Sequence, residues 1–126
     1  LESDLLKIMT ACTEGTLADT EVKFSEGAAC CVILASGGYP VSYEKGKPIS
    51  GLTNGQLEGE SNITVYHSGT ALREDGTLVT NGGRVLNVVA LPIRSRGARA
   101  CYEACDKINF EGKQYRRDIA MRAIEG

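Results

Sequence analysis

The chain has 126 residues, enough for one domain with a buried core. Its 14 basic and 16 acidic residues are mixed along the chain and give a net charge of −2, which argues against binding nucleic acid through a basic excess. Hydrophobic residues make up 42%, and 15 glycines against three prolines point to many tight turns rather than a disordered tail.

No segment approaches the roughly 18 apolar residues that span a bilayer. With Glu2, Asp4 and Lys7 in the first residues, we expect no secretory signal there. We therefore expect neither a membrane nor a nucleic-acid partner. The chain opens at Leu1 and runs almost at once into a helical pattern. We expect a domain trimmed from something longer.

Residues 2–14 carry Leu5, Ile8, Met9 and Cys12, with Leu1 before them, at helical spacing. Ser3 is the expected cap and Gly15 the expected C-terminal stop. This amphipathic helix must pack on something. Residues 21–24 alternate weakly, as a short strand would. The apolar run Ala28 to Ala35, bounded by turn residues, reads as a buried strand. Ser36-Gly37-Gly38-Tyr39-Pro40 stops it, with Pro40 pushing Tyr39 towards an extended form.

Residues 41–59 form a polar excursion with at most a short strand near Ile49. Ile63 to His67 alternates as a strand. Residues 71–73 and 77–80 flank Glu74-Asp75-Gly76, an expected hairpin. Asn81-Gly82-Gly83 reads as a further tight turn, since Asn and Gly tolerate positive φ. The longest apolar strand follows, Arg84 to Leu91. Residues 94–109 read as a second helix, with Ala98, Cys101, Tyr102, Cys105 and Ile108 on one face. The tail 110–119 fits a short helix or an extended segment. The order implies an α+β fold, a mostly antiparallel curved sheet covered by a helix.

The five cysteines, Cys12, Cys30, Cys31, Cys101 and Cys105, lack regular spacing. We read them as small buried hydrophobes in a reducing cytoplasm. Cys101, Cys105 and His67 lack the usual zinc-ligand spacing. His67 is the single histidine. Ser68 beside it points to the opposite face of a strand, so the two make no catalytic dyad, and His67 reads as structural. GxSxG, GxGxxG and GxxxxGK[ST] are absent. Lys45 and Lys47 read as solvated charges, and Asp118 would pair with Arg122 if the tail were helical.

Two anion-binding candidates remain. Gly37, Gly38 and Tyr39 follow a buried strand, and bare amides of a glycine turn face anions in some sites. They equally make a plain turn. Gly82 and Gly83 offer amides, and Arg84 a planar fork of donors for phosphate or carboxylate. A hairpin turn followed by a solvated arginine explains the same residues.

Several further blocks stand out in order along the chain. They are Glu2-Ser3-Asp4-Leu5-Leu6, Leu34-Ala35-Ser36-Gly37-Gly38-Tyr39-Pro40, and Tyr43-Glu44-Lys45-Gly46 with Ile49-Ser50-Gly51. His67-Ser68-Gly69-Thr70 and Val79-Thr80-Asn81-Gly82-Gly83-Arg84-Val85-Leu86 follow, then Phe110-Glu111-Gly112 with Tyr115-Arg116-Arg117-Asp118-Ile119. Together they cover nearly the whole chain, and in this order they resemble the C-terminal part of the phosphoribosylamine–glycine ligase (glycinamide ribonucleotide synthetase) family. Val41 departs from the family, which often has glycine there, and Ser68 stands where it often has alanine. Residues 91–97 are more basic than usual. None of these departures is expected to touch the Asn81–Arg84 block.

The resemblance implies an ATP-grasp ligase of purine biosynthesis that joins glycine to 5-phosphoribosylamine, in the cytoplasm. It implies ATP with Mg2+ or Mn2+ in the full-length enzyme, bound mainly by upstream residues this chain lacks. Residues 1–16 would be the tail of the ATP-grasp domain, and 17–126 the C-terminal domain packed on it. Asn81, Gly82, Gly83 and Arg84 would face the phosphoribosyl substrate, with Gly37, Gly38 and Tyr39 at the same mouth. No catalytic and no metal residue is expected in this segment, which alone would be inactive. The alternative is a non-catalytic sugar-phosphate-binding or scaffold domain of the same fold.

Overall fold

The computed structural model describes residues 1–93 and 97–119. The element order is α1 (Leu5–Glu14), a 3₁₀ turn (Leu17–Asp19), β1 (Ala28–Ala35), β2 (Ile63–His67), β3 (Thr70–Leu72), β4 (Leu78–Thr80), β5 (Arg84–Ile93) and α2 (Gly97–Lys107). The α+β expectation holds, and both sheets are antiparallel. β5 is the middle strand of a three-stranded sheet ordered β1-β5-β2, while β3 and β4 form a separate ribbon.

Alternation sorts the main sheet into two faces. Cys30, Val32 and Leu34 of β1, Ile63 and Val65 of β2, and Leu86, Val88 and Ala90 of β5 are all buried. Cys101, Ala104 and Cys105 of α2, with Ile108 just beyond its end, close over them. Each such apolar side chain removed from water stabilises the fold by on the order of 1–3 kcal/mol. Ile33, Tyr66 and Leu91 lie exposed on the opposite face. Of the five thiols, Cys30, Cys101 and Cys105 are buried as expected, but Cys12 and Cys31 are exposed. Cys31 follows from alternation beside Cys30.

Other local expectations are corrected by the backbone. Asp4, not Ser3, caps α1, its carboxylate accepting from Lys7 N at 3.1 Å. Ser3 instead accepts from Lys23 N at 2.7 Å, tying residues 21–24 to the N-terminus. That segment is unpaired with either sheet, so it is not a strand. Gly15 ends α1 as expected, at φ 73°. Leu5, Leu6 and Met9 of α1 stay exposed. Within the excursion, residues 46–49 run beside β4, with Ile49 N donating to Leu78 O at 2.8 Å. The Asp75-Gly76 hairpin forms, Gly76 at φ 81°. The tail is extended at Gln114, which bridges Ala35 on the edge of β1. Arg116 takes Asp118 as a two-pronged partner at 2.7 and 3.0 Å, and Arg122 lies outside the described residues. The expected start of the second helix at residues 94–96 lies there too. No described helix is long and apolar enough to cross a membrane.

The chain contains two Asn-Gly pairs, and they behave differently. Asn54 and Gly55 take φ 51° and 78°, and Thr53 and Gln56 exchange hydrogen bonds around them, which makes a type I′ turn. Asn81-Gly82 does not. Neither residue has positive φ, and β4 and β5 belong to different sheets. The bend hands the chain from ribbon to main sheet, so the expected hairpin is absent.

Candidate functional site at the start of β5

Glycines at this bend serve close approach. A methyl on Gly83 would lie 2.2 Å from Tyr39 Cδ2 and 2.9 Å from Tyr43 Cε1. A methyl on Gly69 would lie 2.7 Å from Gly82 Cα and 2.6 Å from the Arg84 carbonyl. The tilted rings of Tyr39 and Tyr43, 6.2 Å apart, therefore rest directly on the Gly83 backbone. Ser36, buried at the end of β1, stitches the bend in place. Its N–H donates to Gly83 O and its hydroxyl to Gly82 O, both at 2.8 Å. The Gly82 and Gly83 carbonyls are thus committed to structure. Asn81 N donates to Gly69 O at 2.7 Å.

A β-bulge sets the direction of Arg84. Leu34 pairs with Leu86, but the next residue, Ala35, pairs with Arg84. One extra residue on β5 breaks the alternation, which leaves Val85 and Leu86 both fully buried. Without it, Arg84 would share the α2 face with Leu86 and Val88. With it, Arg84 joins Asn87 on the open face, since Asn87 pairs with the exposed Ile33.

Arg84 and Tyr39 border two cavities. One, of about 530 Å³, is polar and is lined also by Gly83, Tyr43, Ser68, Gly69 and Asn87. The other, of about 760 Å³, runs along the β1 edge past Ile33, Gln114 and Tyr115. Among the described arginines, Arg73 donates to Gly46 O, and Arg99, Arg116 and Arg117 pair with Glu103, Asp118 and Asp106. Arg84 has no such partner among the described residues. A guanidinium in a cavity mouth without a carboxylate suits an anion carried by a ligand.

The structure thus brings Tyr39, Gly83 and Arg84 together. Asn81 and Gly82 shape the bend behind them. Gly37 packs on Gly112, and Gly38, at φ 87°, turns the chain above Ser42 O. Ser68, Gly69, Tyr43 and Asn87 belong to the cavity and carried no site role in the sequence reading. The Ser68 departure therefore does border the Asn81–Arg84 block. Asn87 had no motif to mark it.

The remaining candidates have structural partners. His67 Nε2 lies 2.9 Å from Gly55 O and Nδ1 3.1 Å from Thr70 Oγ1, joining the type I′ turn to β3. It lies on the exposed strand end, away from the buried Cys101 and Cys105. Among the described residues no three His, Cys, Asp or Glu side chains are grouped to hold a metal ion. Lys47 pairs with Glu44 and Glu111, at 2.8 and 3.0 Å.

Residues 29–122 match the family model described as phosphoribosylglycinamide synthetase, C domain. The chain belongs to that family. It is 40% identical over 126 residues to phosphoribosylamine–glycine ligase of Synechocystis sp., covering 98% of this chain and 29% of that protein. It is 39% identical over 125 residues to a bifunctional purine biosynthetic protein of Dictyostelium discoideum, covering 98% of this chain and 15% of that one. The crystal structure of phosphoribosylamine–glycine ligase from Thermotoga maritima superposes with a TM-score of 0.64 at 34% identity, over 87% of this chain and 27% of that one. The chain therefore spans less than a third of the length of these relatives.

Proposed function

We propose that this C domain forms the phosphoribosyl-substrate side of a ligase that joins glycine to 5-phosphoribosylamine with ATP cleavage. The observation that carries the reading is Arg84, turned by the bulge into a polar cavity with no acidic partner among the described residues. Its guanidinium holds the 5-phosphate, with the Tyr39 and Tyr43 rings walling the ligand in. Asn81, Gly82 and Gly83 hold the geometry, and Gly37 and Gly38 carry Tyr39 to the mouth.

The ATP and Mg2+ or Mn2+ implied by the family belong to the part of the enzyme outside this chain. The described residues hold no group of three His, Cys, Asp or Glu side chains that would fit a metal ion. Residues 1–16 are the tail of the ATP-grasp domain and 17–126 the C-terminal domain. The exposed Leu5, Leu6 and Met9 support docking of α1 on that larger part. A cytoplasmic location belongs to the same proposal, although the Arabidopsis thaliana relative is chloroplastic.

Steady-state kinetics of the full-length ligase test the reading. Arg84→Ala raises KM for phosphoribosylamine about tenfold or more and leaves KM for ATP within about twofold. Equal changes for both substrates would contradict it.

A further inference from the structure

Asn87 is a polar residue on an otherwise largely apolar open face. Its cross-strand neighbours are Ile33 on β1 and Tyr66 on β2. Its Nδ2 donates to Ser68 Oγ at 2.7 Å and reaches the Tyr66 carbonyl at 3.4 Å. Facing that carbonyl, which offers only lone pairs, the amide turns Nδ2 rather than Oδ1 towards it. Two groups are left over. Asn87 Oδ1 accepts no hydrogen bond among the described residues. Ser68 Oγ accepts from Asn87 and its proton has no acceptor among the described residues. Both residues line the polar cavity that Arg84 borders.

We infer that Ser68 and Asn87 form a hydroxyl-reading pair that selects a sugar phosphate bearing adjacent hydroxyls, as ribose does, over its deoxy analogue. The inference rests on the proposed phosphate role of Arg84. A fixed acceptor beside a free donor matches two neighbouring hydroxyls, each of which donates and accepts. A sugar lacking one hydroxyl leaves Oδ1 or the serine proton without its partner.

Inhibition of the full-length ligase by ribose 5-phosphate and by 2-deoxyribose 5-phosphate tests it. The unmodified enzyme binds the ribose compound about threefold to tenfold more tightly. Asn87→Ala and Ser68→Ala each bring that ratio towards one. Arg84→Ala weakens both inhibitors and preserves the ratio. A ratio of one in the unmodified enzyme, or a ratio unmoved by both substitutions, overturns the hydroxyl-reading pair. Unchanged binding of both inhibitors in Arg84→Ala overturns the phosphate reading instead. Ser68→Ala removes a single oxygen, so it keeps the test open where Asn87→Ala fails to fold.

Discussion

Gly83 shows how one missing side chain positions several others. The Tyr39 ring occupies the space a Cβ would need, so Gly83→Ala must push the ring or the bend aside. We expect a loss of about 1–3 kcal/mol in urea unfolding, typical of overpacking. The loss comes from the ring contact, not from φ, since Gly83 lacks positive φ. Adding Tyr39→Ala should therefore restore part of it, and strict additivity of the two substitutions would refute the contact. The glycines of this block were legible as special, but for a different reason. Sequence reading credited them with turn conformations, whereas space between Gly69, Gly83 and two tyrosine rings is what they supply. The true type I′ turn, Asn54-Gly55, sat unremarked in the polar excursion. An Asn-Gly pair signals a hairpin only where the strands on both sides pair with each other, and that is a long-range fact.

At the scale of elements, β1 and β2 were readable to the residue because an apolar run and an alternation end in unambiguous turn residues. The bulge in β5 was not readable. Val85 and Leu86 are two more apolar residues in a long apolar run, and only pairing with β1 reveals the extra one. Sequence therefore pointed to Arg84, while its direction and its company with Asn87 came from register. The tail was ambiguous for a similar reason, since its order depends on contacts with α2. Tyr115 donates to Asp106 Oδ1, and Arg117 Nη2 reaches the same oxygen at 2.6 Å. The Tyr115 hydroxyl first, and the Arg117 guanidinium with it, hold Asp106 below its ordinary value of 3.8. Burial and the same bond push Tyr115 up to about 12. A depressed carboxylate stabilises the fold above its ordinary value, and that contribution is lost as pH falls through the folded value. Asp106→Asn should thus show a shallower loss of stability below about pH 4 in acid unfolding. An acid limb as steep as that of the unmodified chain would contradict the tie.

For the molecule as a whole, α2 closes one face of the sheet, while the other face, α1 and the two cavities beside Arg84 stay open. Such a surface suits a part of a larger enzyme, in line with relatives more than three times its length. The isolated chain should form no glycinamide ribonucleotide from ATP, glycine and phosphoribosylamine, and turnover above background in that assay would sink the division of labour proposed here. The central claim is that Arg84 holds the substrate phosphate. Calorimetric titration of the full-length ligase with ribose 5-phosphate and with ribose tests it most directly. Arg84→Ala should weaken ribose 5-phosphate binding about tenfold to a hundredfold and leave ribose binding unchanged. Equal effects on the two sugars, or no effect on either, would contradict it.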